Sequence, residues 1–174
     1  MSRAHKKVVI GDGAEWIWNL AREHFPGAIQ IVDLYHARQH LWELAHRLYP
    51  TDEKQQQAWM RVHQKRWLDQ GKIEKLVESL RSVKTRDAAV AEKIRIEIEY
   101  FERNAARMRY PKFRQQHLFV GSGVIEAGCK TVIGSRLKRS GMFWTVRGAN
   151  AILALRCCHL NGRFEDYWEK RRAA

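Results

Sequence analysis

The sequence is short of the residues that stabilise small secreted or metal-binding domains. It contains three cysteines, Cys129, Cys157 and Cys158, and no Cys-x-x-Cys pair. An odd number of cysteines, two of them adjacent, excludes a regular disulfide framework and makes a poor zinc ligand set. We therefore expect all three to be small core or interfacial residues.

Long apolar runs and helix breakers are also scarce. No apolar run approaches the roughly 18 residues of a membrane span, and 3 prolines with 11 glycines argue against a disordered chain. The start of the sequence leads directly into a short β-branched run, without the pattern of a signal sequence. With 174 residues, 45% of them hydrophobic, the chain is large enough to form one domain with a real core. We expect it in the cytoplasm, associated with the nucleoid and without a membrane partner.

Acidic residues almost disappear from one long stretch in the second half of the chain. Twelve Lys and Arg and a single acid, Glu126, lie between Arg103 and Arg163, and the whole chain carries a net charge of +13. Such a surface favours a nucleic acid partner, because each neutralised phosphate releases condensed counterions. Binding to ribosomes or to a membrane surface is left open by the charge alone.

Hydrophobic periodicity divides the chain into three segments. Strand, helix, strand and helix alternate in the first segment, an all-helical stretch follows, and two helices with a basic tract complete the chain. The predicted segments are 1–49, 50–110 and 111–174, so the fold class is α/β and predominantly helical. The run Leu34–Leu48 reads as a helix, Tyr110-Pro111 as the end of the helical stretch, and Val146–Leu160 as a core helix.

Two short strands, at 7–10 and 28–32, are the only strand signals in the sequence. A stable sheet usually needs three or more strands and a covered face. We therefore expect that a partner completes the sheet or that further strands are encoded upstream of Met1.

Two aspartates, Asp12 and Asp33, follow the predicted strands directly. Ligands of open α/β sheets bind beyond the carboxyl ends of the strands, which makes both side chains candidates for a site. Each has a structural alternative: Gly11-Asp12-Gly13 is also a plain turn, and Asp33 before a helix is also an N-cap.

Two histidines follow Asp33 on one helical side, His36 and His40. The His-x-x-x-His spacing can bind zinc, but the zinc-protease motif has Glu after the first His, where this chain has Ala37. The sequence favours a hydrogen-bonded Asp-His arrangement that orients the site or contacts phosphate.

The isolated acid Glu126 lies in the stretch Gly121-Ser122-Gly123-Val124-Ile125-Glu126. It can be a first-turn residue that the helix dipole stabilises, with Lys130 four residues later as an ion-pair partner. It can also be a metal ligand that is retained on a basic surface.

Cations, glycines and aromatic residues alternate from Gly134 to Thr145. Lys and Arg suit backbone phosphates, and an exposed aromatic ring can stack on an unpaired base; the alternative is that Phe143 and Trp144 are core residues. The predicted DNA-binding residues are Lys130, Arg136, Lys138, Arg139, Trp144 and Arg147.

Four motifs occur in an order that resembles the catalytic half of bacterial insertion-sequence transposases of the ISKra group. The resemblance runs from about Val8 to Trp168 and is carried by Val-Val-Ile-Gly-Asp-Gly-Ala-Glu-Trp-Ile, Ile-Val-Asp-Leu-Tyr-His-Ala, Gly-Ser-Gly-Val-Ile-Glu-Ala and Arg-Leu-Lys-Arg-Ser-Gly-Met-Phe-Trp.

The resemblance implies an RNase H-like fold with a DDE carboxylate triad and an α-helical insertion. Asp12 resembles the second Asp and Glu126 the final Glu, both catalytic and metal-binding, while Asp33 and His36 resemble the supporting Asp-x-x-His signature. Such a triad holds two Mg²⁺ or Mn²⁺ ions that cleave a phosphodiester and transfer the strand, with insertion-element ends and target DNA as partners.

The expected first Asp has no counterpart ahead of Asp12, so the RNase H-like fold is predicted to be incomplete. We expect a C-terminal part of a transposase, inactive alone, whose metal site is complete only with an N-terminal portion or a full-length relative; a homo-oligomer is also compatible. A non-catalytic DNA-binding protein derived from a transposase is the alternative, and an RNA- or ribosome-associated protein is a third.

Overall fold

A computed structural model describes residues 6–172 and shows a predominantly helical chain with one two-stranded sheet. Strands β1 (Val8–Gly11) and β2 (Ile29–Val32) are parallel. Helix α1 (Glu15–His24) connects them, because parallel strands cannot be joined by a tight hairpin. The predicted α/β class with mostly helical content is confirmed.

The chain divides into two compact units between Ser122 and Gly123. After β2 the N-terminal unit is helical, apart from short connections. Its further elements are α2 (Leu34–Leu48), α3 (Glu53–Met60) with the π-helical continuation Arg61–Leu68, α4 (Ile73–Ser82), α5 (Ala88–Asn104) with the 3₁₀ turn Ala105–Met108, and α6 (Tyr110–Gln115). The segment boundaries predicted after residues 49 and 110 remain predictions.

The C-terminal unit contains four further helices within its described residues. They are α7 (Gly123–Gly128) with the π-helical continuation Cys129–Gly134, the single turn α8 (Ser135–Leu137), α9 (Val146–Leu160) and α10 (Phe164–Arg172). No helix within residues 6–172 is long and apolar enough to cross a membrane.

The hydrophobic core lies in the N-terminal unit. Helix α2 illustrates its origin, since Leu34, Ala37, Leu41 and Leu44 recur at spacings of three and four and are at most 2% exposed. They join a cluster contributed by β2, α4, α5 and the segment between α5 and α6. Its largest fully buried apolar side chains include Trp18, Ile31, Leu68, Ile73, Leu76, Leu80, Phe101, Met108 and Tyr110.

The C-terminal unit has no comparable core. Among residues 123–172, none whose exposure the structure describes is buried. The predicted bounds of α9 are confirmed, but its assignment as a core helix is wrong: Val146 is 80% exposed and Leu160 is 47% exposed. The expectation that the cysteines are core residues is wrong as well, because Cys129 and Cys157 are exposed and Cys158 is half-buried.

The helical stretch does not end at Tyr110-Pro111 as the sequence predicts. Helix α6 begins at Tyr110 and carries Pro111 in its first turn. Proline is compatible with that position, because the first backbone N–H groups of a helix have no intrahelical acceptor. Burial of Tyr110 and Phe113 fixes this short helix against the core.

Candidate functional site

Three motifs that lie far apart in the sequence meet at the carboxyl end of the two strands. Gly11 is paired with Val32 in the parallel register, so Asp12 and Asp33 directly follow one matched pair. The amide of Asp33 donates to the carbonyl of Gly11 at 2.7 Å, and the amide of Leu34 donates to the carbonyl of Val120 at 2.9 Å. The sheet edge therefore joins residues 11–13, 33–36 and 120–122.

Asp12 forms the tight turn that the sequence offered as its structural alternative. Its Oδ1 accepts the amide of Ala14 at 2.8 Å, and the residue is exposed. The second carboxylate oxygen, Oδ2, makes no hydrogen bond within residues 6–172. The turn and a ligand role are compatible, since one oxygen shapes the loop and the other is not used by it.

Helix α5 holds this loop through two buried polar side chains. Tyr100 donates its hydroxyl to the carbonyl of Asp12 at 2.8 Å, and Asn104 donates its amide to the carbonyl of Gly13 at 3.3 Å. The Asn104 carbonyl accepts the indole N–H of Trp18 at 3.1 Å. Gly13 has φ +101°, and a Cβ there would lie 2.6 Å from the Tyr100 ring, so the last glycine of Gly-Asp-Gly is required by both conformation and packing.

Asp33 is buried, 6% exposed, and both of its carboxylate oxygens are occupied. Oδ1 accepts hydrogen bonds from the backbone amides of Tyr35 at 2.7 Å and His36 at 3.4 Å, and these bonds make Asp33 the N-cap of α2. Oδ2 accepts the amide of Ser122 at 2.7 Å. The N-cap alternative is therefore realised, and the same side chain anchors the segment that precedes Glu126.

Gly121 is placed against the first turn of α2. A Cβ at Gly121 would lie 2.8 Å from the Tyr35 ring and 3.7 Å from Asp33 Oδ1. A larger residue would push the segment away from Asp33 and lengthen the bond to Ser122. This close approach explains why a glycine begins the Gly121-Ser122-Gly123 motif.

A chain of imidazole rings continues inward from the same edge. Nε2 of His36 lies 3.3 Å from Nε2 of His40, and Nδ1 of His40 lies 2.8 Å from Oε2 of Glu97. His40 also stacks on the Tyr100 ring, with centroids 4.0 Å apart. The carboxylate of Glu97 is completely buried, with 0% exposure.

The charges around Glu97 are partly balanced. Lys93 Nζ lies 2.7 Å from Oε1 of Glu97 and 3.3 Å from Oε2 of Glu43. Burial raises the pKa of the Tyr100 hydroxyl, and the carboxylates of Glu97, Asp12 and Asp33 raise it further. Tyr100 therefore stays a hydrogen-bond donor to the Asp12 loop throughout the accessible pH range.

Sequence reasoning missed Glu97, Tyr100 and Asn104. The signal was present, because the buried stripe of α5 continues through Val90, Ile94, Glu97, Phe101, Asn104 and Met108 at alternating spacings of four and three. Polar residues at two positions of an otherwise apolar stripe indicate buried partners, since unpaired burial would cost about 1–3 kcal/mol.

In the C-terminal unit, Glu126 is exposed and lies in the first turn of α7. It lines a groove of about 660 Å³ together with Cys129, Lys130 and Lys138. A carboxylate beside two ammonium groups suits a phosphate ligand with an accompanying cation.

The predicted DNA-binding residues of this unit are accessible. Lys130, Lys138, Arg139 and Arg147 are exposed, whereas Arg136 and Trp144 are half-buried and form one contact, with the guanidinium carbon 5.9 Å from the indole centroid. The core alternative for Phe143 is wrong, because that ring is 97% exposed.

The described residues do not by themselves complete a two-metal centre. Both carboxylate oxygens of Asp33 accept hydrogen bonds from backbone amides. Of the two aspartates at the sheet edge, Asp12 is the one that keeps a carboxylate oxygen without a hydrogen bond within residues 6–122. No group of three or more His, Cys, Asp or Glu side chains within the described residues is arranged to hold a metal ion. Within residues 6–122, Asp12 alone does not make up the carboxylate set that two divalent ions need.

Fold and site together define a predominantly helical α/β protein whose motif residues gather beyond the ends of two parallel strands. The chain belongs to UPF0236, an uncharacterised protein family, whose model matches residues 1–172. No curated protein and no solved structure matches the chain.

Proposed function

We propose that this chain is the C-terminal catalytic part of a DNA transposase with an RNase H-like fold. The observation that carries the proposal is the convergence of Gly11–Gly13, Asp33–His36 and Val120–Ser122 at one sheet edge. These stretches contain or adjoin three of the motifs of the transposase resemblance. An α/β protein that gathers them beyond its strands has its motif residues where ligands of open α/β sheets bind.

In this proposal Asp12 and Glu126 are the carboxylates that act on the phosphodiester. Asp12 keeps one oxygen free of hydrogen bonds, and Glu126 is exposed in the first turn of α7. Mg²⁺ or Mn²⁺, when bound, would polarise the phosphate and activate the attacking oxygen. A triad needs a third acid, and no group of three such side chains is arranged to hold a metal ion within the described residues, so we expect that the 174-residue chain alone does not cut DNA.

The C-terminal unit supplies the DNA-binding surface. Residues 123–174 contain ten Lys and Arg against four Asp and Glu, and most of the predicted contact residues are exposed. Arg136 and Trp144 form a cation–aromatic pair that suits a backbone phosphate beside an unstacked base. The protein would act at the nucleoid, on insertion-element ends and target DNA.

The binding test uses the 174-residue chain and a short DNA duplex over a series of salt concentrations. Arg136→Ala with Lys138→Ala is expected to weaken binding and to reduce the slope of log K against log salt by about 0.9 for each phosphate that is no longer neutralised. Lys75→Ala, an exposed cation on α4, is the matched control and is expected to keep the wild-type slope. Equal weakening by both variants would contradict a specific DNA surface on the C-terminal unit.

The catalytic test adds a candidate N-terminal portion or a full-length relative, and follows Mg²⁺-dependent cleavage of insertion-element ends. Asp12→Asn and Glu126→Gln are expected to abolish cleavage while DNA affinity stays within about twofold of wild type, since neither side chain is a phosphate-neutralising cation. If both variants still cleave DNA, Asp12 and Glu126 are not the catalytic carboxylates.

A second candidate is a non-catalytic DNA-binding protein derived from a transposase. It is favoured by the engagement of both Asp33 oxygens, which leaves few acids available at the sheet edge. Salt-dependent DNA binding without cleavage in any complemented mixture would support this candidate. RNA that outcompetes duplex DNA at equal salt would favour an RNA-associated protein instead.

A further inference from the structure

The histidine chain at the sheet edge leads from solvent to a buried carboxylate. His36 and His40 are half-buried, and Glu97, at the inner end, is fully buried. We propose that His36 is the proton acceptor of this site and that Nδ1 of its ring is the basic nitrogen. His40 and Glu97 are positioning residues that fix this tautomer of His36. The inference rests on the proposed function, because it names the group that takes the proton from the attacking hydroxyl.

The direction of the hydrogen bonds is set by Glu97, at the inner end of the histidine chain. A buried carboxylate only accepts, so Nδ1 of His40 donates to Glu97 across 2.8 Å. Nε2 of the neutral His40 ring is then an acceptor, and Nε2 of His36 donates to it across 3.3 Å. Nδ1 of His36 makes no hydrogen bond within residues 6–172, and in this tautomer it carries a lone pair.

The backbone places His36 at the sheet edge that also carries the Asp12 loop. Its amide is capped by Asp33, so the ring belongs to the first turn of α2 at the carboxyl end of β2. His40 stacks on Tyr100, whose hydroxyl holds the carbonyl of Asp12. Three side-chain contacts therefore link His36 to the loop that carries Asp12.

The charged side chains around the ring pair carry a net negative charge. Glu97 and Lys93 on α5 and Glu43 on α2 carry one net negative charge, and the carboxylate of Asp33 lies at the start of α2. The two Nε2 atoms face each other and share one hydrogen, so only one further proton can be added at Nδ1 of His36. The resulting positive charge is compensated through His40 by Glu97.

The proposed step is a balanced proton transfer. As the oxygen of the attacking water or 3′-hydroxyl forms its bond to phosphorus, its proton moves to Nδ1 of His36. The bond from phosphorus to the leaving 3′ oxygen breaks, and that oxygen keeps the bonding pair. Positioned proton acceptors contribute about 10²–10⁴-fold to such reactions.

The first test needs no activity and uses the ¹⁵N-histidine-labelled 174-residue chain. Ring-nitrogen NMR is expected to show neutral His40 as the Nδ1–H tautomer and neutral His36 as the Nε2–H tautomer, with the exposed His24 as reference. Glu97→Gln is expected to weaken the preference of His40 for the Nδ1–H tautomer, because an amide can donate as well as accept. The opposite tautomers in the wild-type chain would overturn the proposal, and this readout does not depend on folding of a variant.

The second test uses the complemented protein and single-turnover cleavage. His36→Gln is expected to lower the cleavage rate by about 10²–10⁴-fold and to remove the acidic limb of its pH profile, with DNA affinity unchanged. If Asp12→Asn abolishes cleavage but His36→Gln cleaves at the wild-type rate with the same pH profile, the proton-acceptor role is wrong and the proposed function stands. If no complemented mixture cleaves DNA, the proposed function fails and His36 loses its catalytic role with it.

Discussion

Two helices of equal length, α2 and α9, summarise the contrast between the two units. Both contain 15 residues and carry regularly spaced apolar side chains. Five residues of α2 are buried, whereas none of α9 whose exposure is described is buried. Apolar spacing therefore predicts which face of a helix is available for packing and does not determine whether that face is covered.

The largest expected effect concerns matched leucines of these two helices. Leu44→Ala removes a side chain with 0% exposure and is expected to lower the free energy of unfolding by about 2–5 kcal/mol. Leu153→Ala removes a half-buried side chain of α9 and is expected to cost less than about 1 kcal/mol. Urea unfolding followed by circular dichroism measures both, and equal destabilisation would contradict the contrast between covered and exposed helices.

Two glycine-to-alanine substitutions, one in each unit, test the same contrast, and we expect them to change the free energy of unfolding in opposite directions. Gly13→Ala forces φ +101° on a residue with a Cβ and pushes that Cβ into Tyr100, so we expect destabilisation by about 1–3 kcal/mol. Gly128 has helical φ −60° and open space around it, so Gly128→Ala is expected to add up to about 1 kcal/mol. Thermal unfolding of the two variants checks the signs, and stabilisation by Gly13→Ala would contradict the close contact with α5.

Buried histidine gives the N-terminal unit a pH dependence. His63 donates from Nδ1 to the Trp59 carbonyl at 2.8 Å and accepts from Ser79 at Nε2. Burial lowers the pKa of His63 from 6.5, so below about pH 6.5 the unfolded chain binds a proton that the folded chain does not. Stability should be complete above that pH and fall below it, by at most about 1.4 kcal/mol per pH unit.

The measurement is the urea midpoint of wild type and His63→Gln at several pH values between neutral and mildly acidic. The variant is expected to show a shallower pH dependence than wild type, because Gln does not titrate. A slope that is identical in both proteins would show that His63 does not contribute to the acid sensitivity.

The smallest expected effect concerns exposed ion pairs. The Arg109 guanidinium beside Glu74 holds the pKa of that carboxyl at about 2, so its contribution is present above the ordinary pKa of 4.5 and disappears as the pH falls toward 2. Because the pair is exposed to solvent, Glu74→Gln should cost less than about 1 kcal/mol at neutral pH. Asp166→Asn, which breaks the 3.3 Å pair with Arg163 in the C-terminal unit, is the control and should cost no more than Glu74→Gln.

Local elements were largely predictable, and the exceptions have physical reasons. The bounds of α2 and α9 match the sequence prediction because each has a clear apolar stripe and a capping residue, Asp33 or Thr145. Helix α6 was missed because Pro111 reads as a helix end, although it is compatible with a first turn. The buried partners of the candidate site, Glu97 and Asn104, were missed because their roles depend on residues 57 and 91 positions away along the chain.

The order of the local elements, the basic character of the C-terminal half and the four motifs of the transposase resemblance are all readable from the amino-acid sequence. These properties depend on neighbouring residues and on composition. Tertiary packing was needed to establish that Asp33 commits both oxygens to backbone amides while Asp12 keeps one free, and that α2 is covered while α9 is exposed. The physical reason is that burial and hydrogen-bond satisfaction depend on segments distant in sequence, such as α5 and residues 120–122.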